Sequence, residues 1–331
     1  MTKPHVSKLL AIGLMGTLPM MARADAPVLW GVTGVGGGAS TLYAINPVTG
    51  KALEVGPIGL NNVSGIEMHP TTKVLYGTQG QLGGTKSLLT LSKTRATASA
   101  IGDLGEAVAD SAFSPAGVFY IYGASTFDLH TVNLGNASKS LIKADASTIG
   151  GCGITFDSMG DLFLTRSNAI YNLNPATGNV DSSAVIGGAT TNVDNLLARR
   201  GDGVMFAGKR NSKAAPTQLF TIDPTTGNTT LVSAVPLALT AMTFDVAPTP
   251  SFKVTGPKTK RTTRSSYALK GTYTSTVPST ISFRTASTET NNGPWKLKLS
   301  KLKPGTNRVK LLCEDAAGQK KTQTIRIVVE D

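Results

Sequence analysis

Short hydrophobic runs alternate with polar, glycine-rich segments along almost the whole chain. Most runs are about four to seven residues long and are rich in Leu, Ile, Val, Tyr and Phe. Runs of this length and composition, bounded by Gly, Pro, Asn and Asp, are typical of β-strands joined by tight turns. The pattern therefore predicts an all-β protein.

One turn sequence, Asn/Asp-Pro-x-Thr-Gly, recurs along the first two-thirds of the chain. It closes segments 42–50, 170–178 and 219–227, and weaker copies of the same segment begin at Leu88 and Leu129. Successive copies start 41 to 49 residues apart. The Asn or Asp side chain bonds the backbone ahead of it, Pro presets φ, and Gly supplies the left-handed residue that ends the turn.

Another pair of hydrophobic runs lies between successive copies, as in 66–69 and 74–77. Each repeat therefore holds four predicted strands, and four antiparallel strands in about 45 residues is the period of a propeller blade. Complete sets of four begin near residues 63, 108, 151 and 193.

The two ends of the repeat region are each incomplete, and together they make one more unit. Val28–Val32 resembles the second strand of a unit and has no first strand before it. Leu239–Phe244 resembles a first strand and has no second strand after it. We therefore predict a five-bladed propeller over 25–247, with one blade built from both ends, because this closure leaves no sheet edge open.

The motifs LYAINPVTG (42–50), VGPIG (55–59) and GIEMHPTTKVLYG (65–77) resemble the propeller repeats of exported bacterial proteins, related to the NHL and YVTN types. The resemblance covers about two-thirds of the chain and implies a propeller fold. Such propellers include lyases, lactonases and adhesion modules, so the resemblance implies no single function, and no catalytic signature of the family maps onto this sequence.

A proline-rich linker at 248–251 ends the repeat, and hydrophobic residues then alternate strictly with polar ones over 252–331. This period of two predicts half-buried strands of a small β-sandwich. The motifs WKLKL (295–299), LKPGTNRVKL (302–311) and EDAAG (314–318) resemble bacterial Ig-like modules, which serve as spacers or surface-binding units.

The net charge of +12 is concentrated in this last region. Residues 25–250 carry a formal charge of −2, whereas residues 251–331 carry +11. Alternation places six basic side chains on the outside of the sandwich, where they would contact an anionic polysaccharide or envelope component. The alternative is that the charge serves solubility and blunts strand edges. The six residues are Lys270, Lys296, Lys298, Arg308, Lys310 and Arg326.

Residues 1–24 have the form of a cleavable export signal, with Lys3 and Lys8 before a short apolar run and Ala22-Arg23-Ala24 at its end. We therefore expect a periplasmic or extracellular protein with no transmembrane segment in the mature chain. Cys152 and Cys313 fall in separate regions and are interpreted as two buried thiols.

Catalytic or metal-binding motifs are scarce. His69 and His130 are interpreted as a turn residue and a strand residue, and no zinc or EF-hand signature occurs. Polar side chains at the N-terminal ends of the predicted innermost strands form the candidate ligand site, since they would meet at one mouth of the channel. No cofactor is predicted, and calcium is the one cation left open. The candidate residues are Asn61, Asn62, Ser64, Glu106, Asp110, Asn192, Asp194 and Asn195.

Three functional hypotheses follow. The first is an exported, non-enzymatic binding protein, with the propeller as ligand or partner platform and the basic module contacting an anionic envelope or matrix component. The second is a propeller-type lyase or hydrolase acting on a carbohydrate or lactone, with Glu106, Asp110 or Asp194 and a bound cation. The third is a structural surface protein. A specific nucleic-acid partner is not expected, because the basic region lacks interleaved aromatic residues.

Overall fold

A computed structural model describes residues 26–34, 37–80, 85–144 and 152–330. The predicted export signal lies outside these residues. The described chain is all-β, with 29 strands and no α-helix among them, as the hydrophobic pattern predicts. Within these ranges there is no helix of the length and apolarity needed to cross a membrane.

Five sheets account for the described strands between residues 26 and 247, and all their strand pairs except one are antiparallel. The first contains β21 (Leu239–Ala247), β1 (Ala26–Thr33), β2 (Ala39–Ile45) and β3 (Ala52–Asn61), in that order. The second contains β4 (Val63–Met68), β5 (Leu75–Gln79), β6 (Ser87–Leu91) and β7 (Ala98–Asp103). The third contains β8 (Val108–Phe113), β9 (Phe119–Gly123), β10 (Leu129–Val132) and β11 (Lys139–Lys143).

The fourth sheet contains β12 (Cys152–Phe156), β13 (Leu162–Arg166), β14 (Ala169–Leu173) and β15 (Val180–Val185). The fifth contains β17 (Leu197–Arg199), β18 (Met205–Arg210), β19 (Thr217–Ile222) and β20 (Asn228–Val235). It also has an extra outer strand that the repeat does not predict, β16 (Gly187–Gly188), which pairs in parallel with β20.

One strand of each sheet lies innermost, and these strands form a closed ring. Strand β21 contacts β4, β4 contacts β8, β8 contacts β12, β12 contacts β17, and β17 contacts β21 again. We call β4, β8, β12, β17 and β21 the inner strands. The ring is completed within the first sheet, where β21 pairs antiparallel with β1 from Ala26 opposite Ala247 to Thr33 opposite Leu239. The two incomplete ends of the repeat thus share one sheet, as predicted.

Large side chains pack between neighbouring sheets around the ring. Phe113 and Phe119 of the third sheet lie 4.7 Å apart between ring centroids, and Tyr76 of the second sheet packs edge-on against Phe113. Phe206 of the fifth sheet meets Phe244 of the first at 4.9 Å. Burial of such aromatic surface stabilises the contact between sheets that no β-ladder joins.

The repeated turn has the predicted chemistry. The Asn46 side chain accepts hydrogen bonds from the backbone N–H groups of Val48 and Thr49, at 3.0 and 3.1 Å. Asn174 and Asp223 make the same two bonds in their own turns. The turn glycine also has a role that the sequence pattern does not reveal, because it lies against the last strand of the preceding sheet.

Two more sheets account for residues 251–330. The smaller contains β22 (Ser251–Val254), β24 (Tyr267–Thr274) and β27 (Gly293–Leu299). The larger contains β23 (Thr259–Thr262), β29 (Lys320–Val329), β28 (Gly305–Asp315), β25 (Ser279–Phe283) and β26 (Ala286–Thr290), in that order. Leu269, Tyr273 and Trp295 of the smaller sheet share one core with residues such as Val309 and Ile327 of the larger.

These two sheets pack against the ring of five. The Gln319 side-chain amide donates to the carbonyl oxygens of Ala247 and Pro248, at 3.0 and 3.2 Å. Asn291 donates to the carbonyl of Val55 at 2.8 Å. Val277 joins a hydrophobic cluster that belongs mostly to the first two sheets. Polar and apolar contacts therefore both fix the C-terminal sheets to the ring.

The two cysteines are buried in different parts of the structure and form no disulfide with each other. Cys152 begins β12 and Cys313 lies in β28, as expected for two separate buried thiols. Burial raises the pKa of the Cys313 thiol above its ordinary value, so this thiol is a weak nucleophile.

The turn glycines provide a test of how the sheets dock. Gly227 has a φ of 74°, and a Cβ atom there would overlap the Val185 carbonyl oxygen of the preceding sheet. We expect Gly227→Ala to lower the free energy of unfolding by about 1–3 kcal/mol, because it adds overpacking to backbone strain. Urea unfolding of the purified protein would measure the change.

Ala96 provides the matched control, because it occupies the equivalent turn position of the second sheet with a φ of 60°. Ala96→Gly relieves left-handed strain and loses one buried methyl group, so it should stay within about 1 kcal/mol of the wild type. Equal stability of the Gly227→Ala protein and the wild type would contradict the docking role of this turn.

Candidate functional site

Each inner strand has one edge that pairs with no other strand. Side chains from neighbouring sheets accept hydrogen bonds from some of the backbone N–H groups along this edge. Asp110 of β8 accepts a hydrogen bond from the backbone N–H of Ile154 in β12, at 3.0 Å. The Thr243 hydroxyl of β21 accepts from the N–H of Met68 in β4, at 3.3 Å. A buried N–H without a partner is costly. Asp110, a predicted ligand residue, is therefore bound to the framework of the ring.

Glu106 is likewise engaged by protein groups. Its buried carboxylate accepts a hydrogen bond from the Thr126 hydroxyl at 2.7 Å and forms a short ion pair with Lys139. His130 Nδ1 lies 3.2 Å from the same carboxylate. This cluster ties the segment before β8 to β10 and β11.

Asp194 is hydrogen-bonded within its own sheet, by a residue of β18. Asp194 accepts from the backbone N–H and the Nε of Arg210, at 2.9 and 2.8 Å. Within the described ranges, no hydrogen bond or ion pair joins the predicted residues around β4 to those around β8 or β17. No group of three or more His, Cys, Asp or Glu side chains in the described part of the chain could hold a metal ion. The other predicted residues are Asn61, Asn62, Ser64, Asn192 and Asn195.

A cavity of about 850 Å³ opens at the opposite, C-terminal ends of the inner strands. None of the eight predicted residues is among the described residues that line it. Four of its polar side chains, Glu67, Thr155, Arg199 and Thr243, come from four different inner strands. Ala112 holds the corresponding place in β8. Each of these five residues lies directly opposite a large residue of the adjacent strand in its sheet, so the five positions are at one level of the ring. In the order Glu67, Thr155, Arg199, Thr243 and Ala112, the opposite residues are Tyr76, Phe163, Met205, Trp30 and Tyr120.

Sequence reasoning missed this set, although a signal was present. Four of the five residues, Glu67, Ala112, Thr155 and Thr243, each directly precede a Met or Phe in their inner strand. Arg199 takes the equivalent place before Arg200, and the five form one column. Such a column, polar in four of five strands, marks positions that face a channel instead of the core between sheets. The predicted ligand residues lie at the start of each inner strand, whereas this column lies near its end.

Two carboxyl groups in the channel have perturbed protonation. Burial, followed by repulsion from Asp110, holds the pKa of Glu67 well above its ordinary value, and a hydrogen bond from Thr243 offsets part of this effect. Burial also holds the pKa of Asp110 well above its ordinary value, against the lowering effect of backbone N–H groups at Ile154 and Ser111. Two carboxyl groups close together in a dry site resist ionising at once.

Arg199 stands out among the charged residues of the cavity. It is half-buried, and its Nε is buried without a hydrogen-bond partner. Its neighbour Arg200 instead makes two close contacts with Asp202, at 2.8 and 2.9 Å. Lys93 similarly pairs with Asp245 at 2.8 Å. The two terminal nitrogens of Arg199 are not buried and have no hydrogen-bond or ion-pair partner among the described residues, so they are available to a ligand in the cavity.

The six predicted basic residues are all exposed, but they divide between two faces. Lys270 and Lys296 lie directly opposite each other on the outer face of the smaller C-terminal sheet, and Lys298 lies opposite Ala268. Arg308 and Arg326 form a similar pair on the outer face of the larger sheet, with Lys310 beside them. The structure adds one residue, Lys253 of β22, which is exposed beside β24.

No protein-family model matches the sequence, and no curated protein matches it. Among solved structures, a nidogen/laminin complex aligns at 11% identity and a TM-score of 0.46, covering 66% of this chain and 98% of that one. TolB from Acinetobacter baumannii aligns at 12% and 0.42, covering 91% and 63%. Glutaminyl cyclase from Myxococcus xanthus aligns at 16% and 0.40, covering 53% and 70%. These neighbours are β-propeller-type proteins. At such scores they carry no argument about function.

Asp110 provides a test of its framework role. We expect Asp110→Ala to lower the free energy of unfolding by about 1–3 kcal/mol, because the buried N–H of Ile154 loses its acceptor. Asp110→Asn keeps an acceptor oxygen at the same place and should cost less than Asp110→Ala. Urea unfolding of both variants measures the difference, and equal stability of the two would contradict the assigned bond.

The raised pKa of Glu67 predicts the sign of a pH effect. The folded state holds a proton that the unfolded state releases at lower pH, so the free energy of unfolding falls as pH rises above about 4. Glu67→Gln removes this contribution and should gain stability relative to the wild type as pH rises. Thermal unfolding measured across the pH range tests this prediction. Glu54→Gln is the matched control, because Glu54 is an exposed residue of β3.

Proposed function

We propose that this chain is an exported binding protein built as a five-bladed β-propeller followed by an Ig-like β-sandwich. The propeller offers a ligand platform, and the sandwich contacts an anionic polymer of the cell envelope or matrix. The observation that carries the proposal is a sheet face with four exposed lysines and, among its described residues, no carboxylate.

The architecture in this proposal is supported by the closed ring of inner strands and by the β21–β1 pairing. The boundary between propeller and sandwich at 248–251 is supported by the three-residue gap between β21 and β22. Export to the periplasm or the extracellular space is supported by the signal-like sequence of residues 1–24.

The lysine face is the outer surface of the sheet formed by β22, β24 and β27, with Lys253, Lys270, Lys296 and Lys298. The other outward residues of these strands are Ser, Thr, Ala and Pro, and none of the described residues on this face is Asp or Glu. Like charges directly opposite each other across a strand pair are destabilising. Lys270 opposite Lys296 therefore has a cost in stability that an anionic ligand would offset.

The outer face of the larger sheet, which carries Arg308, Lys310 and Arg326, is less suited to contact with an anionic polymer. Carboxylates accompany its basic residues, since Lys320 pairs with Glu314 at 3.5 Å and Arg261 pairs closely with Glu330. An anionic polymer approaching this face would meet acidic groups as well as basic ones. We therefore assign polymer contact to the lysine face.

The lyase or hydrolase hypothesis gains no support from the geometry. Glu106, Asp110 and Asp194, the carboxylates named for it, are all engaged by protein donors. The hypothesis of a structural surface protein gains no specific observation either.

Retention on an immobilised anionic polymer tests the proposal directly. Purified protein should bind lipopolysaccharide or polygalacturonate at about 50 mM salt and lose affinity steeply towards about 200 mM, because released counterions drive such contacts. The Lys270→Gln/Lys296→Gln double variant should reduce the slope of log affinity against log salt by about 2, or about 1 for each lysine.

The matched control is Arg308→Gln/Arg326→Gln, which removes the same charge from the opposite face. Its retention should stay closer to that of the wild type. If the wild type is not retained at either salt concentration, or if both double variants lose the same affinity, the lysine face is not a polymer-binding surface.

A further inference from the structure

We propose that the cavity at the C-terminal ends of the inner strands binds a small organic monocarboxylate, and that Arg199 receives its carboxylate group. This inference rests on the proposal that the propeller is a ligand platform, and it names the class of ligand.

Arg199 has the geometry of an anion receptor. It ends the short inner strand β17 and lines the cavity. Its Nε is buried and lacks a hydrogen-bond partner, and no hydrogen bond or ion pair with another described residue occupies its guanidinium. A guanidinium has five N–H donors in a planar fork that matches a carboxylate. The two terminal nitrogens are not buried, so a carboxylate in the cavity can accept a hydrogen bond from each of them.

The neighbouring inner strands provide further polar groups at the same level. Strand β12 brings Thr155 to one side of Arg199, and β21 brings Thr243 to the other. Glu67 follows Thr243 around the ring and hydrogen-bonds to it. A Glu67 carboxyl that holds its proton can donate to a ligand oxygen and does not repel an anion.

The remaining charges of the cavity indicate a ligand with a single negative charge. Arg200 and Asp202 neutralise each other, and so do Asp245 and Lys93. Asp157 turns one oxygen towards three backbone N–H groups, at 2.8 to 2.9 Å. Lys73 also lines the cavity, but it is exposed on the turn after β4. Arg199 is thus the half-buried cation of the cavity that forms no ion pair with another described residue. A phosphate dianion would need more positive charge than Arg199 alone supplies.

The walls of the cavity indicate the rest of the ligand. Met68, Phe113, Phe156 and Phe244 follow the polar level on their strands, and all four line the cavity. The volume of about 850 Å³ is in the usual range for small-molecule sites, which combine apolar walls with a few convergent polar groups. The ligand therefore has a carboxylate at one end and a largely apolar body.

Calorimetric titration with matched probes tests the inference. The probes are phenylacetate, octanoate and gluconate, each paired with its neutral amide, together with inorganic phosphate. Phenylacetate or octanoate should bind the wild-type protein roughly 10- to 100-fold more tightly than its amide, the usual range for a hydrogen bond to a charged group. Arg199→Gln should lose the same factor for the carboxylate and change little for the amide.

Arg200→Gln is the matched control, because it removes an adjacent cavity arginine that already has Asp202 as its partner. Its carboxylate affinity should stay within a few-fold of the wild type. Far-ultraviolet circular dichroism and thermal unfolding show whether Arg199→Gln folds. If it does not, Arg199→Lys, which keeps the charge and loses the fork, should show reduced carboxylate affinity in its place.

The inference is overturned if none of the three carboxylates binds the wild type more tightly than its amide. It is also overturned if Arg199→Gln and Arg200→Gln weaken binding equally, or if phosphate binds more tightly than the carboxylates. The Lys270→Gln/Lys296→Gln variant should bind the carboxylates normally. Loss of polymer retention with intact carboxylate binding would therefore contradict the polymer-binding proposal alone, and the reverse result would contradict this one alone.

Discussion

The pairing of β21 with β1 is the constraint on which the rest of the structure depends. The eight register pairs between these strands join the C-terminal end of the repeat region to its N-terminal end. Without them, the first sheet would lose its inner strand, and β17 and β4 would no longer face a common neighbour. The pairing also removes two sheet edges that would otherwise be open to other chains. Closure brings residues far apart in sequence, such as Thr243 and Met68, within hydrogen-bond distance.

Closure has a chemical consequence for the two ends of the channel. Inner strands present backbone N–H groups that no ladder pairs, and the ring satisfies some of them with side chains such as Asp110. Carboxylates near the N-terminal ends of the inner strands are therefore bound to the framework. At the C-terminal ends, Arg199 keeps a buried nitrogen without a partner. Asp110 thus serves the framework and Arg199 can serve a ligand, whereas Thr243 belongs to both groups, because it accepts from Met68 and also lines the cavity.

Much of the fold could be predicted from the sequence, because its determinants are local. The Asn46 and Gly50 turn, the strand period of two and the two incomplete ends all follow from residues adjacent in the chain. The exposure of Lys270 and Lys296 also follows from alternation. The candidate site was harder to predict from the sequence. Alternation indicates on which face of its sheet a side chain lies, but not which residues of the next sheet contact it. The bond from Ile154 to Asp110, the docking of Gly227 on Val185 and the availability of Arg199 all depend on contacts between sheets.

The two candidate binding surfaces differ in how they respond to solvent. Lys270 and Lys296 are exposed, so mobile ions screen their attraction over about 8–10 Å at physiological salt. Arg199 is half-buried on the wall of a cavity, where water and ions are partly excluded and a charge-assisted hydrogen bond keeps more of its strength. The lysine face is therefore suited to a polymer with many charges, each contact weak and reversible. The cavity is suited to one small anion, bound by directional hydrogen bonds and by shape complementarity. Hydrogen bonds from Gln319 and Asn291 fix the two C-terminal sheets to the ring, so the proposed polymer and the proposed carboxylate would bind different parts of one body.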